Sequence, residues 1–137
     1  MIEPAQLRDF ARRYTAAWCS RDAASVAAFF AQKGSLSVNG ALAAGRGAIA
    51  EVAQGFMTAF PDMELLMDDT LIEGDRAVYH WTFIGTNTGP GGTGKRVRFS
   101  GLEEWMIGED GLIAESQGRF DNADYQRQLE RGVEESR

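Results

Sequence analysis

One cysteine and one histidine in 137 residues leave this chain very short of soft ligands. Cys19 has no partner for an internal disulfide, and a lone Cys and His fall short of the four ligands of a structural zinc site. No D-x-D-x-D-G run gathers carboxylates around a hard cation, so no metal is expected. Positive charge is scarce as well: 14 Lys and Arg stand against 20 Asp and Glu, a net charge of -6. That balance argues against nucleic acid or an anionic membrane surface as the main partner, because neutralising phosphates needs clustered basic residues. No apolar run approaches the length of a membrane span, and the opening MIEPAQLRDF lacks the basic and apolar regions of a secretory leader. The expectation is a cytoplasmic protein of one domain over 1–131, with a polar tail over 132–137.

What the chain does have is a change of period. Leu7, Phe10, Ala11, Tyr14 and Trp18 form an apolar stripe at helical spacing behind Pro4, which suits the first turn of a helix. Asp22 can cap a second, shorter helix that presents Val26, Phe29 and Phe30 and stops at Gly34. Leu36 and Val38 then alternate up to Asn39-Gly40, a dipeptide suited to a tight hairpin. A third helix is expected from about Gly47 to Phe60, ended by Pro61. Beyond it the period becomes that of strands, over Met63–Ile72, Arg76–Thr86, Arg96–Ile107 and Leu112–Phe120, before a short helix bearing Tyr125 and Leu129. Helices first and a long antiparallel meander second define an α+β class, with helices packed on one face of a curved sheet.

The stretch TGPGGTGKRVRF, residues 88–99, contains G-x-x-x-x-G-K, the start of a phosphate-binding loop. Such a loop needs Ser or Thr after the lysine and a helix behind it; Arg96 and a strand-like run follow instead. The glycines therefore read as a hairpin loop. In the strand over 76–86 both faces are apolar, with Tyr79, Trp81 and Phe83 on one and Val78 and Ile84 beside His80 and Thr82 on the other. If helices cover one face, a second copy of the chain is the simplest cover for the other, so a homodimer through the sheet is expected.

The order of elements, with AFPDMEL (59–65), GDRAV (74–78), GTNTG (85–89), Gly94-Lys95, DGLI (110–113) and FDNADYQRQL (120–129), resembles the SnoaL-like branch of the nuclear transport factor 2-like superfamily. The likeness runs from about Leu7 to Leu129 and implies a cone-shaped, cystatin-like fold. It also implies a pocket between the helices and the concave sheet face, walled by aromatics and serving a small apolar ligand without a cofactor. A carboxyl in such a cavity has a raised pKa and can move protons near neutrality.

Residue by residue, the resemblance puts Asp121 where SnoaL-like cyclases carry their acid/base aspartate; Asp121 can equally be the cap of the last helix. Tyr14 lies where isomerase-like members place an oxyanion-donating tyrosine, and reads otherwise as a core tyrosine. Glu103 matches the isomerases' protonated acid, and shares a strand face with Phe99, Trp105 and Ile107. Trp18, Phe30, Phe56, Trp81, Phe99, Trp105, Gln117 and His80 are the candidate substrate contacts. His80 enters the pocket only if its strand face is the concave one.

Several family features are replaced. Val38 or Asn39 stands at the isomerases' base, Asn87 at the histidine of the GTHTG signature, and Gln117 at a tryptophan of the last strand. His80-Trp81-Thr82 occupies the place of the epoxide hydrolases' Arg-x-Asp pair. The expected function is a cofactor-free isomerase, aldol cyclase or dehydratase acting on an apolar carbonyl compound; a non-catalytic ligand-binding or dimerisation module of the same fold is the alternative.

Overall fold

The computed structural model describes residues 2–133, so 134–137 of the expected polar tail lie outside the described residues. Helix α1 (Pro4–Cys19) starts with proline in its first turn and a reciprocal cap between Glu3 and Gln6, and buries Leu7, Phe10, Tyr14 and Trp18 on one stripe. Asp22 caps α2 (Ala23–Ala27), which ends earlier than its apolar spacing suggests. Phe30 is not helical: it opens β1 (Phe30–Val38), because the carbonyl of Phe29 already accepts from Ile113 N–H at 2.9 Å and the sheet takes over the chain. Asn39-Gly40, both at positive φ, turn β1 into β2 (Ala41–Ala44) as a tight hairpin.

Helix α3 (Arg46–Ala59) stops before Pro61 and is followed by β3 (Glu64–Glu73), β4 (Arg76–Thr86), β5 (Arg96–Ile107), β6 (Ile113–Phe120) and α4 (Asn122–Arg131). The curved sheet is open, with order β2-β1-β6-β5-β4-β3. The expected antiparallel meander of β3 to β6 is present, and β1 adds to β6 as one parallel pair. The glycine-rich stretch with its phosphate-loop spacing is the β4–β5 hairpin loop, where Gly91 and Gly94 take positive φ.

Register fixes what faces the helices. Ala77, Tyr79, Trp81 and Phe83 lie opposite Trp105, Glu103, Gly101 and Phe99, and Glu103 and Trp105 lie opposite Gly118 and Ser116 on the other side. All of these share the inner face, since side chains alternate along a strand. His80, Thr82 and Ile84 share the outer face with Leu66, Leu71 and Met106, the last three of them exposed.

The packing leaves no room at Gly101. A Cβ there would lie 2.4 Å from the Arg119 carbonyl oxygen and 2.6 Å from Cζ2 of Trp81. Gly101→Ala is expected to lose about 1–3 kcal/mol of unfolding free energy through overpacking, read from a urea titration. An unchanged midpoint would mean that the Arg119 carbonyl and the Trp81 ring both move aside freely.

Candidate functional site

The inner face closes against α1 and α3 around a cavity of about 50 Å³. Trp18 and Phe56 form its helical side; Trp81, Phe83, Phe99 and Phe120 form its sheet side, and Leu36, Val38 and Leu65 complete the apolar lining. Glu103 is the single ionisable side chain on that wall among the described residues. Gly118 lies directly opposite it on β6, so no side chain covers the glutamate from that paired position.

Glu103 is 7% exposed and is fixed by donors from three elements. The Tyr14 hydroxyl on α1 donates to Oε1 and Oε2 at 3.1 and 3.2 Å. Trp105 Nε1–H and the Ser116 hydroxyl donate to Oε1 at 3.0 and 2.7 Å. Burial pushes the Glu103 carboxyl above its usual value, and the bonds from Trp105, Ser116 and Tyr14 pull it partly back. Tyr14, fully buried, is held well above the ordinary tyrosine value by burial and then by the neighbouring Glu103 charge. Oε2 accepts from Tyr14 alone, which leaves it the carboxyl oxygen with spare hydrogen-bonding capacity among the described residues.

Tyr79 stacks on Trp105 at 4.9 Å between centroids, and Tyr14 meets the same indole edge-on at 5.1 Å. The Tyr79 hydroxyl lies 2.5 Å from Thr15 Oγ1, whose own proton goes to the Ala11 carbonyl, so Tyr79 is the donor. These contacts lock the ring that supplies one of the Glu103 donors.

The sequence candidates separate sharply. Glu103, Trp18, Phe56, Trp81 and Phe99 meet at the cavity. Tyr14 and Trp105 do not line it; they sit behind Glu103 and hold it. Phe30 is corrected to a core position, fully buried and 6.1 Å from the Tyr14 ring. His80 and Gln117 are corrected to the outer face, because Trp81 and Gly118 next to them in sequence point inward. Asp121 is exposed and accepts from Asp124 N–H at 3.1 Å as the N-cap of α4, so it is not brought to the cavity; Phe120 before it turns inward instead. Ser116, Phe83 and Phe120 are not among the sequence candidates for the site. Alternation from Trp81 finds Phe83, whereas Phe120 and Ser116 need the β5–β6 register.

An open six-stranded sheet curled over N-terminal helices is a nuclear transport factor 2-like fold. The chain belongs to the SnoaL-like polyketide cyclase family, whose model matches residues 8–129. No curated protein matches it. Among solved structures it is similar to TsrD from Streptomyces laurentii, at 24% identity and a TM-score of 0.80 over 94% of this chain and 98% of that one. It is also similar to a phenazine biosynthesis-related protein of Pseudomonas aeruginosa, at 16% identity, a TM-score of 0.73 and coverage of 98% and 94%. A third likeness is to a Catenulispora acidiphila protein of ketosteroid isomerase-like fold, in complex with trimethylamine, at 15% identity, a TM-score of 0.77 and coverage of 88% and 92%. At these identities the likeness carries the fold. Among the described residues no helix is long and apolar enough to cross a membrane.

The raised pKa of Glu103 has a measurable sign. The folded protein holds this proton more tightly than the unfolded chain, so its contribution to stability is full below the ordinary value of 4.5 and is lost as pH rises through the folded pKa. Glu103→Gln has no such proton. Its melting temperature relative to wild type should therefore climb as pH rises from about 4 and level off above the folded pKa. A difference independent of pH would show that this carboxyl titrates as an ordinary glutamate.

Proposed function

We propose that this protein is a cofactor-free acid/base enzyme for a small, largely apolar carbonyl compound, with Glu103 as the group that moves the proton. The observation that supports this reading is the placement of one desolvated carboxyl on the wall of an otherwise apolar cavity. In the carboxylate form Glu103 takes a proton from the carbon next to the carbonyl, and the bond electrons pass to the carbonyl oxygen as an enolate. Returning the proton to a different carbon gives isomerisation; passing it to a departing hydroxyl gives dehydration; attack of the enolate carbon on a second carbonyl gives aldol cyclisation. Tyr14, Trp105 and Ser116 act as positioning residues, since each touches the carboxyl rather than the cavity. Asp121 has no part in this scheme.

The elementary step can be followed without the natural substrate. In deuterated buffer the protein should accelerate exchange of the α-protons of 1-indanone, read by proton NMR. Glu103→Gln should lower that rate by about 10²–10⁴-fold, the usual contribution of a positioned acid/base group, while Asp121→Asn leaves it unchanged. Exchange that survives Glu103→Gln would remove Glu103 from the role. Binding of the ketone without exchange would favour the non-catalytic ligand-binding module, a reading that the full set of donors on Glu103 also supports.

The homodimer belongs to the same proposal. Leu66, Leu71 and Met106 are 38%, 42% and 37% exposed on the outer sheet face, away from the cavity. Light scattering at micromolar concentration should give twice the 15.0 kDa chain mass, and Leu71→Lys should reduce it to one. A wild-type monomer would remove the dimer and leave the site untouched.

A further inference from the structure

Glu103 does not account for all the polarity at the cavity. Among the described residues the buried side-chain nitrogens without a hydrogen-bond partner are Nε1 of Trp18 and Nε1 of Trp81, and both rings belong to the cavity wall. The two side chains are 7% and 8% exposed, so solvent at the protein surface does not serve them. They stand on opposite sides, Trp18 on α1 and Trp81 on β4, with Glu103 on the neighbouring strand β5.

Their immediate surroundings are mainly aromatic rings. Trp81 packs edge-on against Phe99 and Phe120, with centroids 5.7 and 6.0 Å away, and its Cζ2 edge lies over Gly101. Trp18 packs against Phe56 and the ring of Tyr14 at 6.2 and 6.4 Å. The Trp18 indole lies near enough to the Tyr14 oxygen to pull the phenol's pKa down, without the geometry of a full hydrogen bond, and the Tyr14 proton itself is directed at Glu103. The third tryptophan provides the contrast: Trp105 donates to Glu103 at 3.0 Å, as a buried indole normally does. An indole N–H is a donor only, so an acceptor must come from elsewhere for the other two.

Resting on the small-molecule reading above, we propose that the indole N–H groups of Trp18 and Trp81 recognise acceptor oxygens of the ligand. They select an uncharged, flat ring compound bearing carbonyl or ether oxygens over a hydrocarbon of the same shape. An anion is disfavoured by the wall itself, which carries one acid and, among the described residues, no Lys or Arg, and a cation is disfavoured by indole N–H groups, which donate only. Flat follows from its six aromatic rings, those of Trp18, Phe56, Trp81, Phe83, Phe99 and Phe120. At about 50 Å³ the cavity holds no more than a few water-sized molecules as it stands, so a ring ligand enters by displacing wall side chains. Such a displacement breaks no hydrogen bond between either indole and another side chain or the backbone. Ligand entry therefore supplies bonds to donors without a protein partner, and a site with such donors discriminates against the analogue without the oxygen.

The test compares 1-indanone with indane, which share a ring system and differ in the carbonyl oxygen. With ¹⁵N-labelled protein, 1-indanone is expected to shift the Nε1–H resonance of Trp18, of Trp81 or of both, while that of Trp105 stays with Glu103. By the same titration it should bind about tenfold more tightly than indane, the ratio equivalent to one net hydrogen bond. Trp81→Phe and Trp18→Phe, checked for folding by circular dichroism, identify the donor: loss of the preference in either variant supports the proposal and names the indole responsible. Equal binding of the two probes, or a preference that survives in both variants, would overturn it while leaving the cavity and Glu103 in place. Binding of neither probe would remove the ligand cavity and this proposal together.

Discussion

The fold is organised around a single buried carboxyl. Removing Glu103 from water costs several kcal/mol unless its oxygens are met by donors, and no basic side chain on the wall is there to meet them. The donors come instead from Tyr14, Trp105 and Ser116, on a helix and two strands. Each must arrive at its place for the carboxyl to be tolerated, so the docking of α1 on the sheet and the pairing of β5 with β6 depend on one another. The tyrosine reaches across 89 positions of sequence to make its bond. A helix sliding by one turn along the sheet would leave both Tyr14 and Glu103 without partners in an apolar interior, a penalty that helps select one arrangement.

Around this point the sheet register divides the molecule into an outer face and a lined interior. Tyr79, Glu103 and Gly118 lie in one row across β4, β5 and β6. Tyr79 buttresses the Trp105 ring, Glu103 presents the carboxyl, and Gly118 keeps the far side open. In the next inward row Trp81, Gly101 and Phe120 repeat the logic, with the glycine accommodating the Trp81 ring. Glycine opposite a large inward side chain is thus how adjacent strands share one crowded face. The cavity is what these alternations leave between sheet and helices.

Much of this was legible in the sequence, and what was not has identifiable causes. The helical stripe of α1 and the aromatic alternation on β5 reveal their buried faces directly, because solvent on one side imposes the period. Tyr14 and Glu103 could be paired through the family resemblance, although their bond spans most of the chain. His80 could not be placed, since its strand is apolar on both faces and only the pairing with β3 and β5 decides which is inner. Phe30 fits the helical spacing of Val26 and Phe29 for one turn, and a long-range bond from Ile113 ends that helix. Asp121 satisfied two descriptions at once, acid at a strand end and cap of a helix; geometry assigns the second. The unpartnered indoles carry no sequence signal whatever, because a missing hydrogen bond is a property of the assembled interior.

A buried acid with a donor on each oxygen can be mere architecture, so its surroundings have to carry the functional argument. An apolar side chain of similar volume commonly replaces a buried polar group at little cost to stability, provided its partners are replaced too. Three donors converging on Glu103 therefore go beyond what filling that volume requires. They are also unevenly shared: Oε1 receives Trp105, Ser116 and Tyr14, whereas Oε2 receives Tyr14 alone. An even division would tie both oxygens to donors equally. The uneven one fixes the group firmly through one atom and leaves the other able to gain or lose a proton without dismantling the whole network. With burial pushing the pKa up and the donors pulling it back, the same contacts that hold the carboxyl in place also moderate how tightly it keeps its proton.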